Sequence, residues 1–224
     1  MAGECVKACR RPGVAALAAS FLLLAVGAAA AASSYDYLDG DAGQPWEVCA
    51  ECHGMDGVSW SDRFPNIAAQ NPAYLLTEMR HFRDGARTND DHQMAAVLSD
   101  LSPDLMAKIA AWYAAQPPAA PAPPDLSPQQ RAWADDMVHH GKGVLHGCDS
   151  CHDARTWHGV AMPRLDGERA GYLARQLRNF RDGARTDDPH GLMRRIAAQL
   201  TPEQIDVVAR YLASRARLPS LAQR

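Results

Sequence analysis

Two short segments of the chain carry residue types that could hold a redox cofactor. Residues 49–53 read Cys-Ala-Glu-Cys-His and residues 148–152 read Cys-Asp-Ser-Cys-His, so both have the spacing C-x-x-C-H. Because residues three apart share one face of a helical turn, both thiols of a segment can reach the two vinyl groups of one porphyrin. The next residue then brings an imidazole under the iron, so each segment predicts one covalently attached c-type haem. The predicted attachment residues are Cys49, Cys52, Cys148 and Cys151, and the predicted iron ligands are His53 and His152.

Other kinds of site also use paired cysteines. A thioredoxin-like redox site requires a βαβ context, which the sequence lacks. A Cys₄ zinc site would have to join two pairs that are far apart in the chain and separated by a proline-rich stretch. Disulfides would suit an exported protein. None of these alternatives accounts for a histidine directly after both cysteine pairs, so haem attachment is the preferred interpretation.

The second axial ligand is predicted from the register of the repeats. In electron-carrying c-type proteins methionine commonly lies opposite the histidine and raises the reduction potential. Met94 and Met193 follow the histidines of their motifs at the same interval, and both precede a Leu-Ser/Thr-Pro segment by the same interval. No other pair of methionines keeps both spacings, so these two are the predicted ligands. His92 and His190 lie in the same loops, but at unequal intervals from their motifs, and stay the alternative ligands.

A ligating histidine usually donates its second ring N–H to an acceptor that fixes its orientation. Pro65 and Pro163 follow the two motif histidines at nearly the same interval, so their carbonyl oxygens are the predicted acceptors. The other methionines are interpreted as packing residues and several other histidines as solvent-exposed; these are Met55, Met79, Met106, Met137 and Met162, and His81, His139, His140, His146 and His158.

The two motifs belong to a duplicated unit. The heptapeptide Phe-Arg-Asp-Gly-Ala-Arg-Thr occurs at residues 82–88 and returns at 180–186, which is 98 positions later. A Tyr-Leu pair recurs at the same offset, and chance does not explain such identity, so the chain contains a repeated domain. The heptapeptide has two interpretations: it covers the haem, or it is a capped helix end with Gly85 and Gly183 in turn conformations.

Each copy is predicted to be helical. Asn71, Ser102 and Thr201 are each followed by proline, which is the pattern of an N-cap and the first helical residue. Apolar residues continue at helical spacing, and no alternating strand pattern of any length occurs. The apolar core is thin for the length of each copy, so a large buried cofactor would complete it. The sequence therefore predicts an all-α fold of two tandem domains, each wrapped round a haem.

The domain organisation follows from composition. Residues 1–32 hold a short basic region, an apolar run and an A-x-A pattern, which is typical of a secretory signal. The run is long enough that an uncleaved membrane anchor stays an open alternative. Residues 117–124 contain only proline and alanine and predict an extended linker. The predicted domains are therefore 33–116 and 125–224.

Charge divides unevenly between these domains. Residues 33–116 hold 13 acidic and 5 basic side chains, a net charge of −8. Residues 125–224 hold 12 acidic and 15 basic side chains, a net charge of +3. Opposite signs create a dipole that can orient protein docking. The arginines are scattered and the whole chain is acidic, so no nucleic-acid partner is predicted.

Taken together, these motifs resemble the cytochrome c4 family, the two-domain branch of the class I cytochromes c. The resemblance covers nearly all of the chain after the predicted signal. It rests on the doubled C-x-x-C-H, the Pro-x-Ile/Leu that follows, the Tyr-Leu segment leading into Phe-Arg-Asp-Gly-x-Arg-Thr, and the methionine loop. The resemblance implies two class I cytochrome c domains with His–Met ligation and two covalently bound haem c groups.

The resemblance also implies a function. It predicts a periplasmic electron carrier without catalytic residues, either free or attached to the membrane. Its redox partners would be a donor such as a quinol-oxidising complex and an acceptor such as a haem–copper oxidase. The alternative is a cytochrome subunit of a flavin- or quinone-linked dehydrogenase. A peroxidase or gas sensor would need an open sixth iron position, which the methionine pair argues against.

The chain departs from the family pattern in three places. Its linker is richer in proline, and Asp153 follows the second motif where glycine is usual. The second copy also lacks a counterpart of Asp56 and Gly57, so its haem edge is predicted to be covered differently.

Overall fold

The computed structural model describes residue 44 and residues 46–143, 145–154 and 156–217. The predicted secretory signal, residues 1–32, lies outside the described residues. None of the helices in the described part of the chain is long and apolar enough to cross a membrane.

The first copy is helical in its described part. Its helices are α1 (Glu47–His53), α2 (Pro72–Arg83), α3 (Gln93–Leu98) and α4 (Pro103–Ala115). The Asn71 side chain accepts a hydrogen bond from the Ala73 N–H at 3.1 Å, and the Ser102 hydroxyl accepts one from the Leu105 N–H at 3.2 Å. With proline as the next residue, these caps fix the starts of α2 and α4 where the sequence predicted them.

The second copy repeats this order and adds elements. Its helices are α5 (Pro128–His139), α6 (Asp149–His152), α7 (Ala170–Arg181), α8 (Leu192–Ala197) and α9 (Pro202–Ala213), with a 3₁₀ turn at Pro189–Gly191. Two-residue strands pair antiparallel in two hairpins, β1 (Gly141–Lys142) with β2 (Leu145–His146) and β3 (Thr156–Trp157) with β4 (Val160–Ala161). These hairpins are too short to produce an alternating pattern, so the sequence did not predict them. Capping boxes at Ser127 and Thr201 fix the starts of α5 and α9.

The same helix pairs form the core of each copy. In the first copy α2 packs against α3 and α4, and in the second α7 packs against α8 and α9. The packing places Met106, Ile109 and Tyr113 of α4 in one apolar cluster, and Ile205 and Leu212 of α9 in the other. Helix α5 packs on α9 and has no counterpart among the described residues of the first copy. The prediction of an all-α fold is confirmed.

The proline-rich linker lies against the second copy. Residues 117–124 form neither helix nor strand, but the Ala122 N–H donates to the Ala213 carbonyl oxygen at the end of α9, at 2.9 Å. The Ala119 side chain is buried. The linker is therefore packed, and its extended conformation stays a prediction. The domain limits 33–116 and 125–224 stay a prediction.

Candidate functional site

Both C-x-x-C-H segments form short helices that face a cavity. The first segment lies in α1, and the second begins one residue before α6. None of the four predicted attachment cysteines lies in a disulfide, and all four line the cavity. Burial raises the pKa of Cys49 to about 12 and that of Cys148 to about 11. A reactive redox pair needs a lowered thiol pKa, so the direction of these shifts argues against a thioredoxin-like site.

Each motif histidine is held by a backbone carbonyl. His53 Nδ1 lies 3.0 Å from the Pro65 carbonyl oxygen, and His152 Nδ1 lies 2.9 Å from that of Pro163. A carbonyl oxygen only accepts, so Nδ1 carries the proton and Nε2 keeps its lone pair. Burial also lowers the pKa of both histidines, which favours the neutral, metal-binding form. The predicted hydrogen bonds to Pro65 and Pro163 are thus present.

The cavity reaches both copies of the repeat. It has a volume of about 580 Å³, far above the roughly 10–15 Å³ that one water molecule needs. Met94 and Met193 line it together with both motif histidines. The described residues that line the cavity do not include His92 or His190.

His92 and His190 have a backbone role that the sequence did not indicate. Both side chains are exposed, and both residues adopt left-handed conformations, with φ of 60° and 56°. They lie just before the helices that carry the two methionines, α3 and α8. The two positions are equivalent under the repeat offset of 98.

The repeated heptapeptide ends a helix in both copies, as one of its two interpretations predicted, and the other interpretation, that it covers the haem, stays a prediction. Gly85 and Gly183 end α2 and α7 with φ of 76° and 75°, as expected for helix ends. The second arginine of each heptapeptide, Arg87 or Arg185, is buried and lines the cavity. Each guanidinium also covers the phenylalanine ring of its own heptapeptide, at 4.3 and 4.6 Å from the ring centroid.

These two arginines form a polar layer between the copies, with Glu78, Gln176 and Asp187 as the other members. Arg185 contacts Asp187 at 2.8 Å and Glu78 of the other copy at 2.9 Å. Arg87 pairs with Glu78 and donates to Gln176 of the other copy at 3.0 Å. Two guanidiniums therefore balance two carboxylates inside the interface. The sequence did not indicate this layer, although the offset of 98 relates Glu78 to Gln176 and Arg87 to Arg185.

Two minor predictions were wrong. His81 is only partly exposed, because its Nδ1 contacts Asp187 of the second copy at 3.0 Å. Met55 is 60% exposed and is not a packing residue. The other predicted packing methionines, Met79, Met106, Met137 and Met162, are buried.

The residues fit a pair of covalent porphyrins. The cavity offers paired thiols, a neutral imidazole with a free Nε2 and a thioether in each copy, all among mostly apolar neighbours. Arg87 and Arg185 also line the cavity, with their charges balanced by Glu78 and Asp187.

Comparison with known proteins identifies relatives along most of the chain. The chain is 36% identical over 172 residues to cytochrome c4 from Pseudomonas aeruginosa, covering 74% of this chain and 82% of that protein. It is 35% identical over 213 residues to a thiosulfate dehydrogenase electron acceptor from Stutzerimonas stutzeri, covering 90% of this chain and 92% of that protein. No protein-family model matches.

A solved structure supports the same relationship. The crystal structure of reduced recombinant cytochrome c4 from Pseudomonas stutzeri superposes with a TM-score of 0.64 at 29% sequence identity, covering 75% of this chain and 94% of that one. The match covers 75% of this chain, which is longer than either copy, so it extends to both copies of the repeat.

Proposed function

The chain belongs to the cytochrome c4 family, and from that premise we propose that it is a periplasmic dihaem cytochrome that passes electrons between respiratory partners. As a member of this family it is an electron carrier with two class I cytochrome c domains and two covalently bound haem c groups. Bound haem supplies an iron that takes up and releases one electron. The protein residues attach and orient it and exclude other reactions.

We assign the same roles in both copies. Cys49 and Cys52 would attach the first haem, and His53 and Met94 would ligate its iron. In the second copy the attachment residues would be Cys148 and Cys151, and the ligands His152 and Met193. With a histidine and a methionine of the protein as its ligands, the iron would have no position left for a substrate, so the protein would transfer electrons without binding one at the iron.

One observation carries this assignment. In both copies a histidine with its Nδ1 fixed by a proline carbonyl lines the same cavity as a methionine in matching register. The alternative ligands His92 and His190 are exposed and do not share that feature.

Haem attachment is tested by intact mass. Protein matured in a haem-attaching periplasm is expected to exceed the mature polypeptide by two haem masses. Cys49→Ala should weaken attachment in the first copy alone, and Cys148→Ala in the second alone. A wild-type mass with one haem or none would overturn the assignment.

The methionine ligands are tested by absorption spectra. Met94→Ala and Met193→Ala should each remove about half of the weak methionine–iron band of the oxidised protein and lower the potential of one haem. His92→Ala and His190→Ala are the matched controls and should leave the band intact. A band lost in the histidine variants and kept in the methionine variants would reverse the assignment.

The cytochrome acts with redox partner proteins, and their identity is part of the proposal. The family resemblance favours a quinol-oxidising complex as the donor and a haem–copper oxidase as the acceptor. The similarity to a thiosulfate dehydrogenase electron acceptor favours a second candidate, the electron-accepting partner of a dehydrogenase.

The two candidates predict different electron donors, which can be compared by the rate at which each reduces the protein. Stopped-flow reduction of the oxidised protein by a quinol-oxidising complex with quinol is compared with reduction by thiosulfate dehydrogenase with thiosulfate. Fast reduction by the first enzyme alone supports the respiratory shuttle, and fast reduction by the second alone supports the dehydrogenase partner.

A further inference from the structure

The proline that anchors each motif histidine lies beside the other copy. In the second copy the Arg164 N–H donates to Gln70 Oε1 of the first copy at 2.7 Å. The Gln70 Nε2 in turn donates to the Arg164 carbonyl oxygen at 3.0 Å. Gln70 is buried, and its side chain binds both the N–H and the carbonyl oxygen of Arg164 in the second copy. We call such a contact between a side chain of one copy and a backbone segment of the other a clasp.

The reciprocal clasp comes from Glu168. This residue lies 98 positions after Gln70, is also buried, and its Oε1 accepts a hydrogen bond from the Asn66 N–H of the first copy at 2.7 Å. The two clasps are thus equivalent under the repeat. They differ in charge, since one uses a neutral amide and the other a carboxylate.

Arg217 completes the second clasp. A carboxylate cannot donate to the Asn66 carbonyl oxygen as Gln70 Nε2 does to that of Arg164. Arg217 instead donates to Asn66 O at 3.4 Å and to Ala68 O at 2.8 Å, and it contacts Glu168 Oε2 at 3.4 Å. Its side chain is 1% exposed, so it supplies both the missing donor and the countercharge for a buried carboxylate.

The clasped N–H groups belong to the peptides that hold the histidines. The Pro65 carbonyl, which accepts from His53, and the Asn66 N–H, which donates to Glu168, are the two ends of one planar peptide unit. The Pro163 carbonyl and the Arg164 N–H are likewise the two ends of one unit, between His152 and Gln70. Each histidine is therefore connected through a single rigid peptide to a side chain of the opposite copy.

We propose that Gln70 and Glu168 are positioning residues acting across the interface, each of which orients and polarises the peptide that hydrogen-bonds the axial histidine of the other copy. The inference rests on the proposed ligation by His53 and His152. A hydrogen bond to the N–H of a peptide strengthens its carbonyl as an acceptor, because hydrogen bonds in a chain polarise one another. A stronger acceptor at Nδ1 makes the imidazole a better electron donor, which stabilises the oxidised iron.

The direction of the effect follows. Loss of a clasp weakens the carbonyl acceptor, so the potential of the affected haem rises. Glu168→Ala should raise the potential of the first-copy haem and leave that of the second nearly unchanged. Gln70→Ala should raise the potential of the second-copy haem and leave that of the first nearly unchanged. A side chain with a merely local structural role would not shift the haem of the opposite copy.

The experiment measures the two potentials separately in the two-haem protein. Each haem is followed through its own paramagnetically shifted NMR signals during a redox titration. Hydrogen exchange of the Asn66 and Arg164 amides gives a second readout that does not depend on the iron. Asn66 should exchange faster in Glu168→Ala, and Arg164 should exchange faster in Gln70→Ala.

Conservative and control variants sharpen the test. Glu168→Gln keeps an acceptor for the Asn66 N–H but removes its charge, so its shift should have the same sign as that of Glu168→Ala and be smaller. Arg169→Ala removes other contacts between the copies, to Asp62 and Ser59, and leaves the clasp in place. It should leave both potentials nearly unchanged.

Several results would overturn the proposal. Shifts confined to the haem of the mutated copy, equal shifts in both haems, or a shift in Arg169→Ala as large as in Glu168→Ala would each do so. The methionine and mass tests do not involve Gln70 or Glu168, so failure of the ligand assignment is distinguishable from failure of the clasps.

Discussion

The two copies hold their motif histidines in the same way but place different charges around them. Positions 98 apart in the chain exchange an acid for its amide; the pairs are Glu78 and Gln176, Asn89 and Asp187, and Gln70 and Glu168. In the polar layer each copy still contributes one carboxylate and one arginine, so the buried charge stays balanced.

This difference shows which features of a duplicated interface are free to change. The histidine–proline hydrogen bond depends on one backbone carbonyl and keeps nearly the same length, 3.0 Å in the first copy and 2.9 Å in the second. In each acid–amide pair the carboxylate can lie in either copy, because a neighbouring arginine reaches both positions. Glu168 is balanced by Arg217, which lies beyond α9, after the end of the repeated helices.

The largest expected effect comes from the polar layer. Arg185 contacts both carboxylates of the layer, whereas Arg87 contacts Glu78 only. Arg185→Ala leaves Asp187, with a 1% exposed side chain, without its main countercharge and should cost about 3–5 kcal/mol of unfolding free energy. Arg87→Ala should cost less, because Arg185 still neutralises Glu78. Urea unfolding of the holoprotein measures both, and equal losses would show that the two arginines are interchangeable.

A second comparison uses two glycines with the same positive φ. Gly57 in the first copy and Gly159 in the second both have φ of 80°. A Cβ on Gly57 would lie 2.7 Å from the Tyr113 ring and 2.8 Å from the Ala68 nitrogen, whereas one on Gly159 would have nothing within 4 Å. Gly159→Ala should cost about 1–2 kcal/mol for its left-handed conformation. Gly57→Ala should add about 1–3 kcal/mol of overpacking to that cost.

Thermal unfolding of the two glycine variants measures this difference. Because both glycines have the same positive φ, the free-energy cost of placing alanine at that φ cancels in the comparison. If Gly159→Ala lowers the melting temperature as much as Gly57→Ala, the close packing of the first copy at Tyr113 has no energetic weight.

The smallest expected effect is a pH dependence confined to the second copy. Burial raises the pKa of Asp166 to about 6, although Arg215 at 3.0 Å opposes the shift. The equivalent residue of the first copy is Ala68. Because the folded pKa lies above the ordinary value near 3.9, this carboxyl favours folding at low pH, and its contribution is lost as pH rises through about 6.

Asp166→Asn should therefore flatten the stability profile between about pH 4 and pH 6. The side chain is partly exposed, so the change should stay under about 1 kcal/mol. Melting temperatures at pH 4 and pH 7 test this expectation. A wild-type profile that gains stability over the same range, with no change in the variant, would contradict it.

Much of the candidate site was predictable because its chemistry depends on short sequence spacing. The C-x-x-C-H segments, the caps at Asn71, Ser102 and Thr201, and the helical fold are local features, set within one or two turns of chain. The bonds to Pro65 and Pro163 were also predictable, since an axial histidine needs an acceptor and the repeat places a proline after both motifs.

Only the tertiary structure determined the contacts between the two copies. Arg217 and Asn66 are 151 residues apart, and Glu168 and Asn66 are 102 apart. No local spacing relates such residues. From the sequence alone, an arginine or glutamate is expected to be exposed until its buried partner is known. His81 was for this reason misjudged as exposed. The sequence by itself determined two attachment motifs and the helices that carry them, because local hydrogen bonds and covalent reach are short-range. Only the packing of the copies determined which buried charges meet, because charge neutralisation depends on distance in space and not on distance along the chain.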